Sequence, residues 1–124
     1  MTLRCEVRHS GDVSILDLKG ELSLGERPGM EGTMHLLERV RALVDSGNRN
    51  ILLNFAGIER MDSSGIGQLI GTFTSARTHG GRIKIVNPSR EVRKLLELTQ
   101  LAKVLDIHDD EARAVQAFAT DSAP

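Results

Sequence analysis

The run Ile51-Leu52-Leu53-Asn54-Phe55 is apolar at four of its five positions. A strand with one wet face alternates apolar and polar residues, whereas a nearly continuous run predicts a strand covered on both faces, as in a parallel sheet packed under helices. The neighbouring segments agree. Upstream, Leu36, Leu37, Val40, Leu43 and Val44 recur with helical spacing, and Gly47 follows as a stop signal. Downstream, Ile66, Leu69, Ile70 and Phe73 repeat the pattern between Asp62-Ser63-Ser64 and Gly80-Gly81. A buried strand between two helices makes an α/β chain, with Ile51 to Phe55 as its central strand.

The remaining segments extend the same alternation. Leu3 to Gly20 alternates on either side of the turn signal Ser10-Gly11-Asp12, which predicts a β-hairpin. Glu21 to Gly32 holds Gly25, Pro28, Gly29 and Gly32 among charges, which predicts an exposed connection. Arg82 to Val86 reads as a strand, and Asn87-Pro88 supplies an N-cap and a first-turn proline for a third helix carrying Val92, Leu95 and Leu96. Lys103 to Ile107 predicts a last short strand. Asp109-Asp110 then opens a final helix with Ala112, Val115 and Phe118 on its inner face. The fold class is α/β: one domain over residues 1–124, with a mixed, mostly parallel sheet of about four to five strands, about four helices and right-handed crossovers. Its core covers residues 3–118, and 119–124 is a small, polar tail expected to fray.

Composition removes several function classes. Sixteen Lys and Arg against 17 Asp and Glu leave a net charge of −1 in 124 residues, without the basic excess that nucleic-acid binding draws on. With three Phe and no Trp or Tyr, there is almost nothing from which to build stacking platforms or aromatic cages. Cys5 stands alone, and neither a leader nor an apolar run of about 18 residues is seen, so the expectation is a soluble, cytoplasmic protein without membrane insertion. His9, His35, His79 and His108 are scattered outside any His-x-x-x-His or Cys-x-x-Cys spacing, so no metal site or cofactor is expected.

The stretch that carries chemistry is Ile58 to Gly71, where a strand ends and a helix begins. It has two readings. In one, Asp62, Ser63 or Ser64 caps orphan backbone N–H groups, while Gly65 and Gly67 let the helix approach the sheet. In the other, the same free N–H groups and the positive helix end make this a place to deliver or hold a phosphate on a hydroxyl. The Gly65-x-Gly67-x-x-x-Gly71 spacing fails the dinucleotide register, and Asp62 would repel a pyrophosphate. Met61-Asp62-Ser63-Ser64-Gly65 also lacks the glycine that precedes the serine in a hydrolase elbow.

Met61-Asp62-Ser63-Ser64-Gly65-Ile66-Gly67, following the Ile51–Phe55 strand and the Gly20-Glu21-Leu22 turn, resembles the STAS family, specifically bacterial anti-sigma factor antagonists. The resemblance covers residues 3 to 118 and extends to Gly80-Gly81 and the helix from Pro88 to Leu98. It implies a non-enzymatic regulator of sigma-factor-dependent transcription. Its implied partner is a serine-protein kinase of histidine-kinase-like ATPase fold that holds a sigma factor inactive; a serine phosphatase is a further implied partner. The antagonist binds that kinase until it is phosphorylated on the serine after the motif aspartate, here Ser63. In the same reading Asp62 positions or caps, Ser64 caps, Gly65 and Gly67 serve helix packing, and Met61, Ile66 and Ser23 join Ser63 at the partner surface. Many family members carry an acidic residue where this chain has Ser23, and the loop from there to Gly32 is longer than usual. Two other readings stay open: a STAS interaction subunit of a transporter or signalling assembly that is never phosphorylated, and a small hydrolase using Ser63 or Ser64.

Overall fold

The computed structural model describes residues 3–22 and 31–121. Five strands form one sheet in the order β1 (Arg4–Ser10), β2 (Val13–Leu22), β3 (Asn50–Met61), β4 (Arg82–Val86), β5 (Asp106–His108). β1 is antiparallel to β2, and every later neighbour is parallel. Ser10-Gly11-Asp12 makes the expected hairpin turn, with Gly11 at φ +60°. Helices α1 (Glu31–Asp45), α2 (Ser63–Thr78), α3 (Arg90–Leu98) and α4 (Glu111–Asp121) fill the connections and the C-terminal end. The expected α/β class, mostly parallel sheet and four helices are all present.

Alternation along the strands divides the core in two. Leu16, Leu18, Ile51, Leu53, Phe55, Ile83 and Ile85 point to one face, where Leu36, Val40 and Val44 of α1, Ile66, Leu69 and Ala76 of α2, and Val92 and Leu96 of α3 cover them. Val13, Ile15, Leu52 and Val86 point to the other, under Ala114 and Phe118 of α4. β3 is thus buried on both faces, which is why its sequence is a nearly unbroken apolar run. On the α4 face Lys84 is 3% exposed. Its ammonium donates to the Asp106 carboxylate and lies 5.1 Å from the Phe118 ring centroid. Partial burial alone would raise the Asp106 pKa, but the hydrogen bond and charge of Lys84, with His108 adding to them, outweigh it and hold the carboxyl below its ordinary value.

Several boundaries differ from expectation. β3 continues past Phe55 to Met61, and β2 runs two residues beyond Gly20 to Leu22. The register shifts between Asp17 and Lys19, where a Cβ on Gly57 would sit 2.6 Å from the Leu18 carbonyl oxygen; only glycine lets the two strands stay paired there. Asn87 does not cap α3. Asn87 sits at φ +59°, outside the extended region of an N-cap residue, with its N–H bonded to the His108 carbonyl, and Ser89, at φ −63° and ψ 165°, caps instead, accepting from Val92 N–H at 3.1 Å. The strand expected at Lys103–Ile107 begins only at Asp106, because a 3₁₀ turn over Leu101–Lys103 occupies its start. In α4 the inner face uses Ala114 in place of Ala112, which lies roughly 160° away around the helix and is exposed. The helix also holds 119–121, where fraying was expected. Most of the Glu21–Gly32 connection, with Ser23, lies outside the described residues, although Glu21 and Leu22 belong to β2 and Gly32 to α1.

Candidate functional site

β2 and β3 end side by side, with Leu22 opposite Met61. The chain leaves Met61 through Asp62 directly into α2. Asp62 is extended, at φ −116° and ψ −172°, and its Oδ1 accepts from Gly65 N–H at 2.9 Å while its carbonyl accepts from Ile66 N–H at 3.0 Å. A carboxylate in this position satisfies one orphan N–H and faces the positive end of the helix dipole. Asp62 is therefore the cap. Ser63 follows as the first helical residue and is exposed, while Ser64 is half-buried and does not cap. The pair sits at the carboxyl end of the parallel strands, the edge where α/β domains present their chemistry.

The glycines behave differently from one another. A Cβ on Gly65 would lie 1.9 Å from the Leu22 carbonyl oxygen and 2.9 Å from Met61 Cγ, so the first turn of α2 is pressed onto the end of β2, and that contact fixes where Ser63 emerges. Gly67 is exposed, and a methyl added there would meet nothing within 4 Å, so the packing role expected of it is not seen. Ile66, expected as a contact beside the serine, is a core residue at 8% exposure because its position on α2 faces the sheet. Met61 is half-buried against the same core. One turn beyond Ile66, Ile70 is 43% exposed, although the helical spacing predicts it on the inner stripe.

Sequence reasoning missed the groove beside Met61. It measures about 380 Å³ and is lined by Glu59, Arg60, Met61, Glu91 and Val92. Two acidic residues from the end of β3 and the start of α3 meet there only because β4 and α3 bring the chain back alongside β3. The spacing of 32 residues between Glu59 and Glu91 carries no local signal.

The site holds a presented hydroxyl and a carboxylate that caps the helix, and the three histidines with described side chains have their contacts elsewhere. His9 contacts Ser14, His79 the Ser75 carbonyl at the far end of α2, and His108 the Asp106 carboxylate. Among the described residues there is no group of three or more metal-ligating side chains, and no helix is long and apolar enough to cross a membrane.

Fold and site together define a small α/β domain that presents a serine at the first turn of a helix, on the carboxyl edge of its parallel sheet. Residues 4–114 match the STAS domain, and the chain belongs to that family. It is 28% identical over 120 residues to the anti-sigma F factor antagonist of Paenibacillus polymyxa, covering 93% of this chain and 94% of that one. The crystal structure of an anti-sigma factor antagonist from Mycobacterium paratuberculosis superposes with a TM-score of 0.76 at 19% identity, over 94% of this chain and 93% of that one. The Bacillus cell fate determinant SpoIIAA in its phosphorylated form gives 0.68 at 21% identity, over 93% and 99%.

Proposed function

We propose that the protein is an anti-sigma factor antagonist that binds a serine-protein-kinase anti-sigma factor and is switched off when that kinase phosphorylates Ser63. The observation that carries this reading is the exposure of Ser63 at the first position of α2, beside a capping role already filled by Asp62. A serine that caps would have to give up a bond to be modified; this one does not. The likeness to an antagonist whose structure is of a phosphorylated form supports the same reading.

The switch follows from charge. A phosphate adds about −1.5 to −2 charges at neutral pH. The free N–H groups and dipole of α2 tolerate it, so the fold is retained. Beside Asp62 it concentrates negative charge at the start of α2, and a partner surface matched to the neutral serine loses both fit and complementarity. ATP and magnesium belong to the kinase, whose own base and metal drive transfer; Asp62 positions and caps. A serine phosphatase restores the binding form.

The test is mass spectrometry after incubation with such a kinase and ATP, with binding followed in parallel. Phosphate is expected on Ser63 alone; Ser63→Ala binds but takes up no phosphate, and Ser63→Asp binds at least tenfold more weakly. Label on Ser64, or a Ser63→Asp variant that binds like the parent, overturns the mechanism. Absence of phosphate with every kinase anti-sigma factor of the host favours the unphosphorylated interaction subunit of a transporter or signalling assembly.

A further inference from the structure

β1 is an edge strand: it pairs with β2 on one side, and no described element pairs with it on the other. A seven-residue edge with open N–H and C=O groups is a template for another strand, and proteins block such edges unless they use them. The charges on this edge are arranged in a particular way. Arg4, Glu6 and Arg8 share one face, and the in-chain neighbours directly opposite the first two carry like charge, Arg4 facing Lys19 and Glu6 facing Asp17. Like charges opposite each other in a ladder cost stability. Asp17 is relieved by Arg8, whose guanidinium donates to it at 2.5 and 2.9 Å and also to Glu111 of α4 at 2.9 and 3.2 Å while staying exposed at the edge, and by Asn54 at 2.7 Å. Glu6 has no such relief within the described residues.

We propose that the β1 edge pairs antiparallel with β1 of a second copy of this chain, about a two-fold axis at Val7. A two-fold perpendicular to the sheet keeps each face continuous, so it must pass midway between one residue and its own copy on the facing strand and set residues equidistant from that residue against each other. Centred on Val7, the middle residue of Arg4–Ser10, it overlaps all seven residues and places Glu6 against the partner's Arg8 twice, once on each side of the axis. Centred on Glu6, it would instead set Arg4 against Arg8 and Glu6 against Glu6. Centred on Cys5, unlike charges again meet, but the overlap retains only the first part of the strand. The charge pattern therefore selects among registers, and the Val7 register alone combines complementary charge with full pairing. The axis lies outside β1, with β2 between that strand and β3, and the paired residues of Arg4–Ser10 do not include the Asp62–Gly65 turn, so the proposal is independent of what binds there.

Sedimentation velocity of the full chain across micromolar to millimolar concentration tests it, together with oxidative cross-linking. A reversible dimer is expected, and Glu6→Lys raises its dissociation constant about tenfold, because the two-fold counts the lost cross-strand pair twice. Val7→Cys in a Cys5→Ser background should cross-link to a covalent dimer under mild oxidant. The native Cys5 should not: in this register the two Cys5 residues lie roughly 13 Å apart along the strands, beyond disulfide reach. A strictly monomeric protein at every concentration, a dimer indifferent to Glu6→Lys, or ready cross-linking through native Cys5 overturns the proposal.

Discussion

Replacing Gly65 with alanine tests how the site is held. The added methyl would sit 1.9 Å from the Leu22 carbonyl oxygen, about 1.5 Å short of an ordinary 3.4 Å contact, and 2.8 Å from the Leu22 carbonyl carbon. Met61 Cγ, at 2.9 Å, can swing aside; the backbone of Leu22 cannot, because it is paired with Met61 across the end of the sheet. The first turn of α2 must retreat, loosening Ile66 from the core. Overpacking costs about 1–3 kcal/mol, the upper end applying against backbone that cannot yield, and the alanine recovers at most about 1 kcal/mol of helix propensity, so a net loss of about 2 kcal/mol is expected. Gly67→Ala is the internal control. Its methyl meets nothing within 4 Å on the same helix, so it should gain up to about 1 kcal/mol. Urea unfolding of the two variants should therefore bracket the parent, with a gap of about 3 kcal/mol between them and unchanged slopes. Stabilities agreeing within about 0.5 kcal/mol, or Gly65→Ala as stable as the parent, would mean that α2 is not seated on the Leu22 carbonyl.

Three further outcomes are expected. Ser89→Ala should lose about 1 kcal/mol in denaturant unfolding, since Ser89 and not Asn87 caps α3; a Ser89→Ala variant as stable as the parent would reverse the assignment. Leu53→Ala, at a fully buried position on β3, should cost about 2–5 kcal/mol by the same measurement. The hydrogen bonds of Arg8 and Asn54 outweigh partial burial to hold the Asp17 carboxyl below its ordinary value of 3.8, and Asp106 is held low against its burial by Lys84. A depressed folded pKa stabilises above the unfolded value and is lost as pH falls through the folded one, so urea midpoints should hold from neutral pH down to about 4 and fall on further acidification. Asp17→Asn should make that acid loss shallower.

How much was legible in the sequence depended on whether the cause was local. The Ile51–Phe55 run, the helical stripes of α1 and α2 and the Ser10-Gly11-Asp12 turn each record a repeating burial pattern or a turn conformation within a few residues. The Asp62-Ser63-Ser64 junction was legible for the same reason, although three adjacent residues could each have capped the helix and only the backbone angles assign that role to Asp62. Boundaries failed where a neighbour far along the chain intervened. Asn87, its N–H bonded to the carbonyl of His108, takes a positive φ and leaves the cap to Ser89, and β3 runs on to Met61 because β2 continues beside it through a register shift.

Periodicity and capping chemistry act over one or two turns of chain, so the residues alone specify the α/β class, the order of its elements and the segment from which Ser63 emerges. The packed fold was needed to separate Gly65, a seat for the helix, from Gly67, which is open surface, and Ile66 in the core from Ile70 in solvent. It was needed, too, to bring Glu59 and Glu91 into one groove beside Met61. These distinctions depend on which backbone lies across from a residue, and a parallel sheet sets that through crossovers tens of residues long.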